Sequence, residues 1–231
     1  MALNIQTFKT RALTALLFVI VMLAGLLWNL WSFLILFTVI HFGCWYEFVK
    51  LMKKSYAEKY LAYCTFGLLY ITMPVLMIIN LYNKTNDIHI SDTYIVLNKG
   101  LIPIVIIASI WINDTMAYLV GSFIGKTPLS KISPKKTWEG TIGGVVLCIT
   151  VAYLVSYFIF HDWIVSFFTM ALAAICAIFG TFGDLLESKI KRMADVKDSG
   201  SFMPGHGGFL DRFDSLLVAV PFVWLYIQLF G

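Results

Sequence analysis

Apolar runs long enough to cross a lipid bilayer recur along the chain, and nothing constrains its fold more. They are 12–27, 30–50, 60–81, 100–124, 140–160, 163–188 and 210–230. A crossing helix needs about 20 such residues. Inside a bilayer each backbone N–H and C=O must find its partner within the segment, so these runs predict helices rather than open sheet. The expected fold is all-α, a polytopic membrane helix bundle with about seven transmembrane helices. Of the 231 residues 60% are hydrophobic and 13% charged, which excludes an ordinary soluble domain. Asn29 marks a tight turn between the first two spans, and His161-Asp162 another between the fifth and sixth. The first span is short, and the fourth is open to an earlier start near Thr93.

Seven crossings put the termini on opposite sides. One side then holds the N-terminus, 51–59, 125–139 and 189–209, and takes fifteen of the 17 Lys and Arg residues. The other side keeps Lys84 and Lys99. Positive charge gathers on the cytoplasmic side of membrane proteins, so the N-terminus is expected to be cytoplasmic, with a polar cavity open to that side. The 82–99 loop is then outside, where Asn83, Asn86, Asp87 and Asp92 keep it solvated. Cys44, Cys64, Cys148 and Cys176 lie in apolar segments without CxxC spacing, and read as small membrane-helix residues rather than disulfide or zinc ligands. The first run is expected to stay as an anchor, with no cleavable signal. Without a linker or repeat, 1–231 reads as a single integral membrane domain. Within it, 1–99 is expected to make dimer or lipid contacts and 100–231 to form the catalytic part.

Residues 184–215 stand out against this background. They carry Asp184, Glu187, Asp195, Asp198, Asp211 and Asp214, with Lys189, Lys191, Arg192, Lys197 and Arg212, and His206 among Gly205, Gly207 and Gly208. Charge this close to lipid is costly, so a role beyond packing is the default expectation. Asp184 and Glu187 share a helix face, and Asp211 and Asp214 repeat the spacing. Grouped carboxylates repel one another unless a cation lies between them, and oxygen donors of this kind suit Mg2+ together with waters and substrate phosphates. The plainer reading is of helix-capping acids. It serves for Asp211 and Asp214 in a first helical turn, and less well for Asp184 inside an apolar run.

Between the two acidic pairs, PGHGGFLDR puts backbone N–H groups just before a helix N-terminus, a ready anion site. Lys197 and Arg212 would make it a phosphate cradle. The 125–140 loop, GKTPLSKISPKKTWEG, holds four lysines and Trp138. These are either topogenic residues with an interfacial aromatic or a second basic wall. In the fourth span, Asn113-Asp114-Thr115 either hydrogen-bonds a neighbouring helix or sets an ionised carboxylate in need of a cation, cavity or proton. Together these features describe a metal-dependent, phosphate-handling membrane enzyme. Phosphoryl or nucleotidyl transfer needs positioning and charge neutralisation more than covalent help. No His–carboxylate or Ser–His pair is evident, which suits a nucleophile that is already anionic.

Several ordered motifs then carry a resemblance. Ser188-Lys189-Ile190-Lys191-Arg192, Lys197-Asp198-Ser199-Gly200, Pro204-Gly205-His206-Gly207-Gly208 and Asp211-Arg212-Phe213-Asp214 closely resemble the signature of the phosphatidate cytidylyltransferase (CDP-diacylglycerol synthase) family. Ser133-Pro134-Lys135-Lys136-Thr137-Trp138-Glu139-Gly140, Gly143-Gly144 and Asn113-Asp114 match further motifs, so the resemblance covers roughly residues 100 to 230.

The resemblance implies transfer of a cytidylyl group from CTP to phosphatidate, giving CDP-diacylglycerol and pyrophosphate in phospholipid biosynthesis. It implies Mg2+, a homodimer, and a site at the cytoplasmic face of a bacterial inner membrane. The family's metal carboxylates map onto Asp184, Asp211 and Asp214, with K+ as a second cation. Lys197 and the lysine-rich loop, with Ser133, Lys135, Lys136 and Thr137, would face nucleotide or lipid phosphates. Asn113 and Asp114 would line the cavity. Ser188, Lys191, Arg192, Asp198, His206, Gly207, Gly208 and Arg212 complete the implied substrate contacts. Met203 departs mildly from the usual Leu, Ile or Phe, and seven spans are fewer than the nine of some members, the difference falling in the N-terminal half. The alternatives are a CTP-dependent lipid kinase of the polyprenol or phytol type, a cytidylyltransferase for another lipid phosphate, and, from another class, an ion or phosphate transporter. No inverted repeat supports a transporter. No nucleic-acid partner is expected.

Overall fold

The computed structural model describes residues 5–83, 88–90, 93–95, 99–203, 205 and 207–230, with backbone alone for 5–11, 88–90 and 93–95. Eight α-helices follow in order: α1 (Ile5–Leu27), α2 (Leu30–Tyr56), α3 (Tyr60–Gly67), α4 (Met73–Asn83), α5 (Leu101–Ile124), α6 (Trp138–Phe160), α7 (Trp163–Met193) and α8 (Leu210–Phe230). The helical reading holds, with one addition. The loop before α5 contains a small antiparallel hairpin, β1 (Ile88–Ile90) and β2 (Thr93–Ile95), in register Ile88 to Ile95. An α5 starting at Leu101 also answers the question of an earlier start near Thr93.

Among the described residues, five helical stretches are long and apolar enough to cross a membrane: Leu30–Asn83, Leu101–Ile124, Trp138–Phe160, Trp163–Met193 and Leu210–Phe230. Ala12–Leu27 is a shorter apolar helix. The first stretch, of 54 residues, contains two of the runs expected as separate spans. It is unbroken because a 3-10 turn (Ala57–Lys59) and a π-helical turn (Leu68–Thr72) join α2, α3 and α4. The chain nevertheless folds back on itself. Ala57 takes a positive φ of 46° and closes its N–H onto Lys53 O. His41 Nε2 and Trp45 Nε1 then meet Thr72 Oγ1 at 3.0 and 2.9 Å.

Local chemistry sets the helix ends. Asn29 Oδ1 accepts from Ser32 N at 2.9 Å while Ser32 Oγ accepts from Asn29 N at 3.0 Å, a reciprocal cap that starts α2 where the sequence predicts a turn. His161, at φ 53°, ends α6, and Asp162 Oδ1 accepts from Ile164 N at 2.7 Å to start α7. Helix α7 continues to Met193, beyond the expected 188, and Asp195 in the left-handed region at φ 49° turns the chain away.

The chain divides into two compact units. The first is Met1–Val75 with Lys189–Phe213; the second is Leu76–Ser188 with Asp214–Gly231. Lys189–Phe213 joins the first unit through its bonds to α2, described below. In the first unit α2 buries Phe33, Phe37, Ile40, Cys44 and Phe48 along one side, at the spacing of a single helix face. In the second, α6 lies close against α5 because Gly140 and Gly144 leave no side chain between them. A Cβ on Gly144 would stand 2.7 Å from that of Ala117, and one on Gly140 2.8 Å from Ala117 O. Small residues four apart are a common means of close helix approach in membranes. All four cysteines are free thiols, and Cys148 Sγ donates to Ser109 O at 3.2 Å.

Candidate active site

In the second unit the 125–137 loop is tied back onto the start of α6. Glu139 accepts from the N–H groups of Lys126 and Thr127, both at 3.1 Å, and from Thr127 Oγ1 at 2.8 Å. Leu129 N donates to Lys136 O at 2.7 Å, and Trp138 N to Thr127 O at 2.9 Å. Thr137 Oγ1 accepts from Gly140 N at 3.1 Å, so this expected substrate residue caps α6. The closed loop carries Ser133, Lys135 and Lys136 at its far end, with Lys135 exposed.

Lys136 forms an ion pair with Asp184 of α7. Ser188, one helical turn on, donates its hydroxyl to Asp184 Oδ1 at 3.3 Å. Asp214 of α8 is buried, and its Oδ1 accepts from Ser215 N at 2.6 Å. The charges of Asp184, Asp114 and Lys136 all act on Asp214. The closeness of α7 and α8 here follows from Gly183, whose hydrogen faces the Asp214 carbonyl and the Ser215 Cα. Four residues singled out in the sequence, Asp114, Lys136, Asp184 and Asp214, thus share one unit and one electrostatic neighbourhood. Glu187 is fully buried, and Asn113 is 4% exposed with an Oδ1 that meets no hydrogen-bond partner among the described residues.

The first unit holds a second cluster. Asp211 Oδ1 pairs with Lys191 Nζ at 2.6 Å. Its Oδ2 accepts from Ser199 N at 2.9 Å, Ser199 Oγ at 3.0 Å and Gly208 N at 2.7 Å. Gly207, at φ 85°, adopts a backbone conformation that side chains disfavour, and a Cβ there would strike Asp211 Oδ2 at 2.5 Å. Met203 N donates to Gly207 O at 3.0 Å, closing the turn. Arg192, Lys197, Asp198 and Arg212 are exposed around this cluster, and Arg192 Nη1 donates to Val196 O at 3.3 Å. His206 lies outside the described residues.

Sequence reasoning missed Glu47. This α2 residue is 4% exposed, and its carboxylate accepts from Phe209 N and Leu210 N, both at 2.9 Å, and from Ser199 Oγ at 2.6 Å. The anion cradle expected at the start of α8 is therefore filled from within. Glu47 takes the amides of Phe209 and Leu210, and Asp211 takes that of Gly208. One signal was available, since an acidic residue in an apolar span meets the criterion that picked out Asp114 and Asp184. On the opposite face of α2, Phe42, Trp45, Tyr46, Val49, Lys50 and Lys53 line an open cavity of about 640 Å³, the aromatic and cationic mixture of a membrane–water boundary.

Among the described residues, no three His, Cys, Asp or Glu side chains are gathered closely enough to hold a metal ion. Asp184 and Asp211 each face a lysine instead.

Apolar helices of spanning length, with carboxylate–ammonium pairs where loops meet helix ends, define a multi-pass helical membrane protein. Residues 90–230 match the Cytidylyltransferase family, and the chain belongs to that family. It is 49% identical over 124 residues to phosphatidate cytidylyltransferase 4, chloroplastic, of Arabidopsis thaliana, covering 52% of this chain and 31% of that one. It is 43% identical over 123 residues to the phosphatidate cytidylyltransferase of Bacillus subtilis (strain 168), covering 53% and 45%. Over 130 residues it is 43% identical to that of Synechocystis sp. (strain ATCC 27184 / PCC 6803 / Kazusa), covering 56% and 44%. In each case the match spans less than half the length of the relative.

Proposed function

We propose that the protein transfers the cytidylyl group of CTP to phosphatidate, forming CDP-diacylglycerol and releasing pyrophosphate. Family membership carries this reading, together with the name shared by relatives from Arabidopsis thaliana, Bacillus subtilis and Synechocystis sp.. The chemistry of the two charged clusters supports it. An oxygen of the phosphatidate phosphate attacks the α-phosphorus of CTP, a new P–O bond forms, and the bond to the β-phosphate oxygen breaks. The nucleophile is already ionised, so no general base is required. The protein's task is to hold two polyanions together against their repulsion.

In this reading Lys135, Lys136, Arg192, Lys197 and Arg212 bind nucleotide and lipid phosphates. Ser133 and Ser188 supply hydroxyl donors, and Asn113 offers a buried amide to the nucleotide. Asp184 and Asp214 carry hard oxygen donors of the kind Mg2+ takes, and are the residues proposed to hold it. When bound, it neutralises nonbridging oxygens and the leaving pyrophosphate. Asp211, which meets Lys191 in the first unit, is proposed as a further cation ligand. K+ is proposed as a second cation. We further propose seven crossings, with the α1 start and the charged loops on the cytoplasmic side where CTP is found, and assembly as a homodimer.

The test is turnover by the purified protein in lipid nanodiscs with α-labelled CTP, Mg2+ and phosphatidate. Label entering the lipid, matched by pyrophosphate release, is expected. CDP release that depends on a lipid alcohol, or no turnover with phosphatidate, would overturn the reading.

A further inference from the structure

Glu47 precedes the 90–230 segment shared with the family, yet its hydrogen bonds reach Ser199, Phe209 and Leu210. A buried carboxylate is destabilising unless its charge is met by donors. Here two come from the first amides of α8, where the helix dipole also favours negative charge. The third comes from Ser199, whose hydroxyl lies 2.6 Å from Glu47 Oε2 and 3.0 Å from Asp211 Oδ2. A hydroxyl has one proton, so the two carboxylates share this donor, and the Ser199 amide secures Asp211 separately. Space around Glu47 is equally restricted. A Cβ at Gly200 or Gly208 would collide with its carboxylate, and Gly43, one turn earlier on α2, gives the Phe209 ring its seat.

We infer that Glu47 is a positioning residue for the 197–212 segment. It touches no substrate. From the buried side it fixes the backbone whose outer surface presents Lys197 and Arg212, and through Ser199 it fixes the Asp211–Lys191 pair. The inference rests on the proposed cytidylyl transfer for its kinetic consequence, but not for its structural one. Loss of an interaction made equally in ground and transition states raises KM and leaves kcat nearly unchanged. Misplaced phosphate-binding cations are expected to act in that way.

The experiment uses the full-length protein in nanodiscs with Glu47→Gln, which keeps the shape but replaces one acceptor oxygen by an NH2 group facing donors. The expected result is a KM for CTP raised about tenfold or more with kcat within about threefold. Hydrogen–deuterium exchange should quicken in the 199–210 peptide while that of α5 and α6 is unchanged. Glu47→Asp, with the charge retained on a shorter stem, should fall between wild type and Glu47→Gln. If Glu47→Gln does not fold, Ser199→Ala removes a single donor and should show the same direction of change in both readouts. A wild-type KM and wild-type exchange in 199–210 would overturn the inference. If the wild-type protein fails to turn over CTP with phosphatidate, the proposed function fails, and the exchange measurement alone still decides the role of Glu47.

Discussion

Replacing Gly183 by alanine tests how closely the two carboxylate-bearing helices must approach. A Cβ at this position would stand 2.5 Å from Asp214 O, 2.9 Å from Ser215 Cα and 3.1 Å from Asp214 C. All three are backbone atoms, so no rotamer change relieves the overlap. Comfortable contact lies at about 3.5 Å, so α7 and α8 must part by roughly 1 Å around Asp184 and Asp214. Overpacking of this sort costs ~1–3 kcal/mol. Removing a glycine from a helix returns about 0.5–1 kcal/mol, leaving a modest net loss of stability. The larger effect is on chemistry, since a displacement of about 1 Å at a reacting centre can lower the rate by ~100-fold. Gly180 is the internal control. Its added Cβ would meet Ser215 Cβ at 3.4 Å and other atoms at 3.9 Å, which is ordinary contact. The assay is cytidylyl transfer in nanodiscs beside a thermal melt of each variant. Gly183→Ala should lose about two orders of magnitude in kcat/KM while Gly180→Ala stays near wild type. Equal activity in the two variants would refute the claim that this contact positions the carboxylates.

Three further outcomes are expected. Lys136→Met removes the partner of Asp184. The pair is 29% and 30% exposed, so its loss should change stability by less than about 1 kcal/mol while turnover falls at least tenfold; activity within a factor of two would remove Lys136 from the site. Asp214→Asn keeps the shape and the acceptor for Ser215 N but removes the charge, and should abolish turnover in protein that still inserts and melts cooperatively. Full activity there would sink the metal assignment. Chelation of divalent cations should stop turnover and added Mg2+ should restore it, measured as pyrophosphate release; turnover that persists in chelator counts against metal dependence.

Much of this protein is legible locally. The apolar runs foretell the helices because the bilayer leaves the backbone few other ways to satisfy its hydrogen bonds. Asn29 and the His161-Asp162 pair mark helix ends through bonds to residues two to four positions away. The charged stretch from Asp184 to Asp214 is conspicuous in so apolar a chain, and its ordered motifs point to the family. By helical continuity Leu30–Asn83 is one stretch, yet the polar 51–59 segment already marks where the chain reverses at Ala57.

Tertiary structure alone decided which charges meet. Nothing near Lys136 in sequence identifies Asp184 as its partner, and nothing in the PGHGGFLDR turn reveals that Glu47, 162 residues before Phe209, occupies its amides. Exposed amides at a helix start attract any anion, and local sequence cannot tell a substrate phosphate from a carboxylate on a distant helix. The physical reason is that capping bonds close within a turn of chain, whereas the compensation of a buried charge depends on whatever the fold brings beside it. The sequence by itself therefore determined that this is a helical membrane protein with acidic and basic groups at its loops. Packing through Gly43, Gly183, Gly200 and Gly208 decided which of those groups hold the loop and which stay exposed.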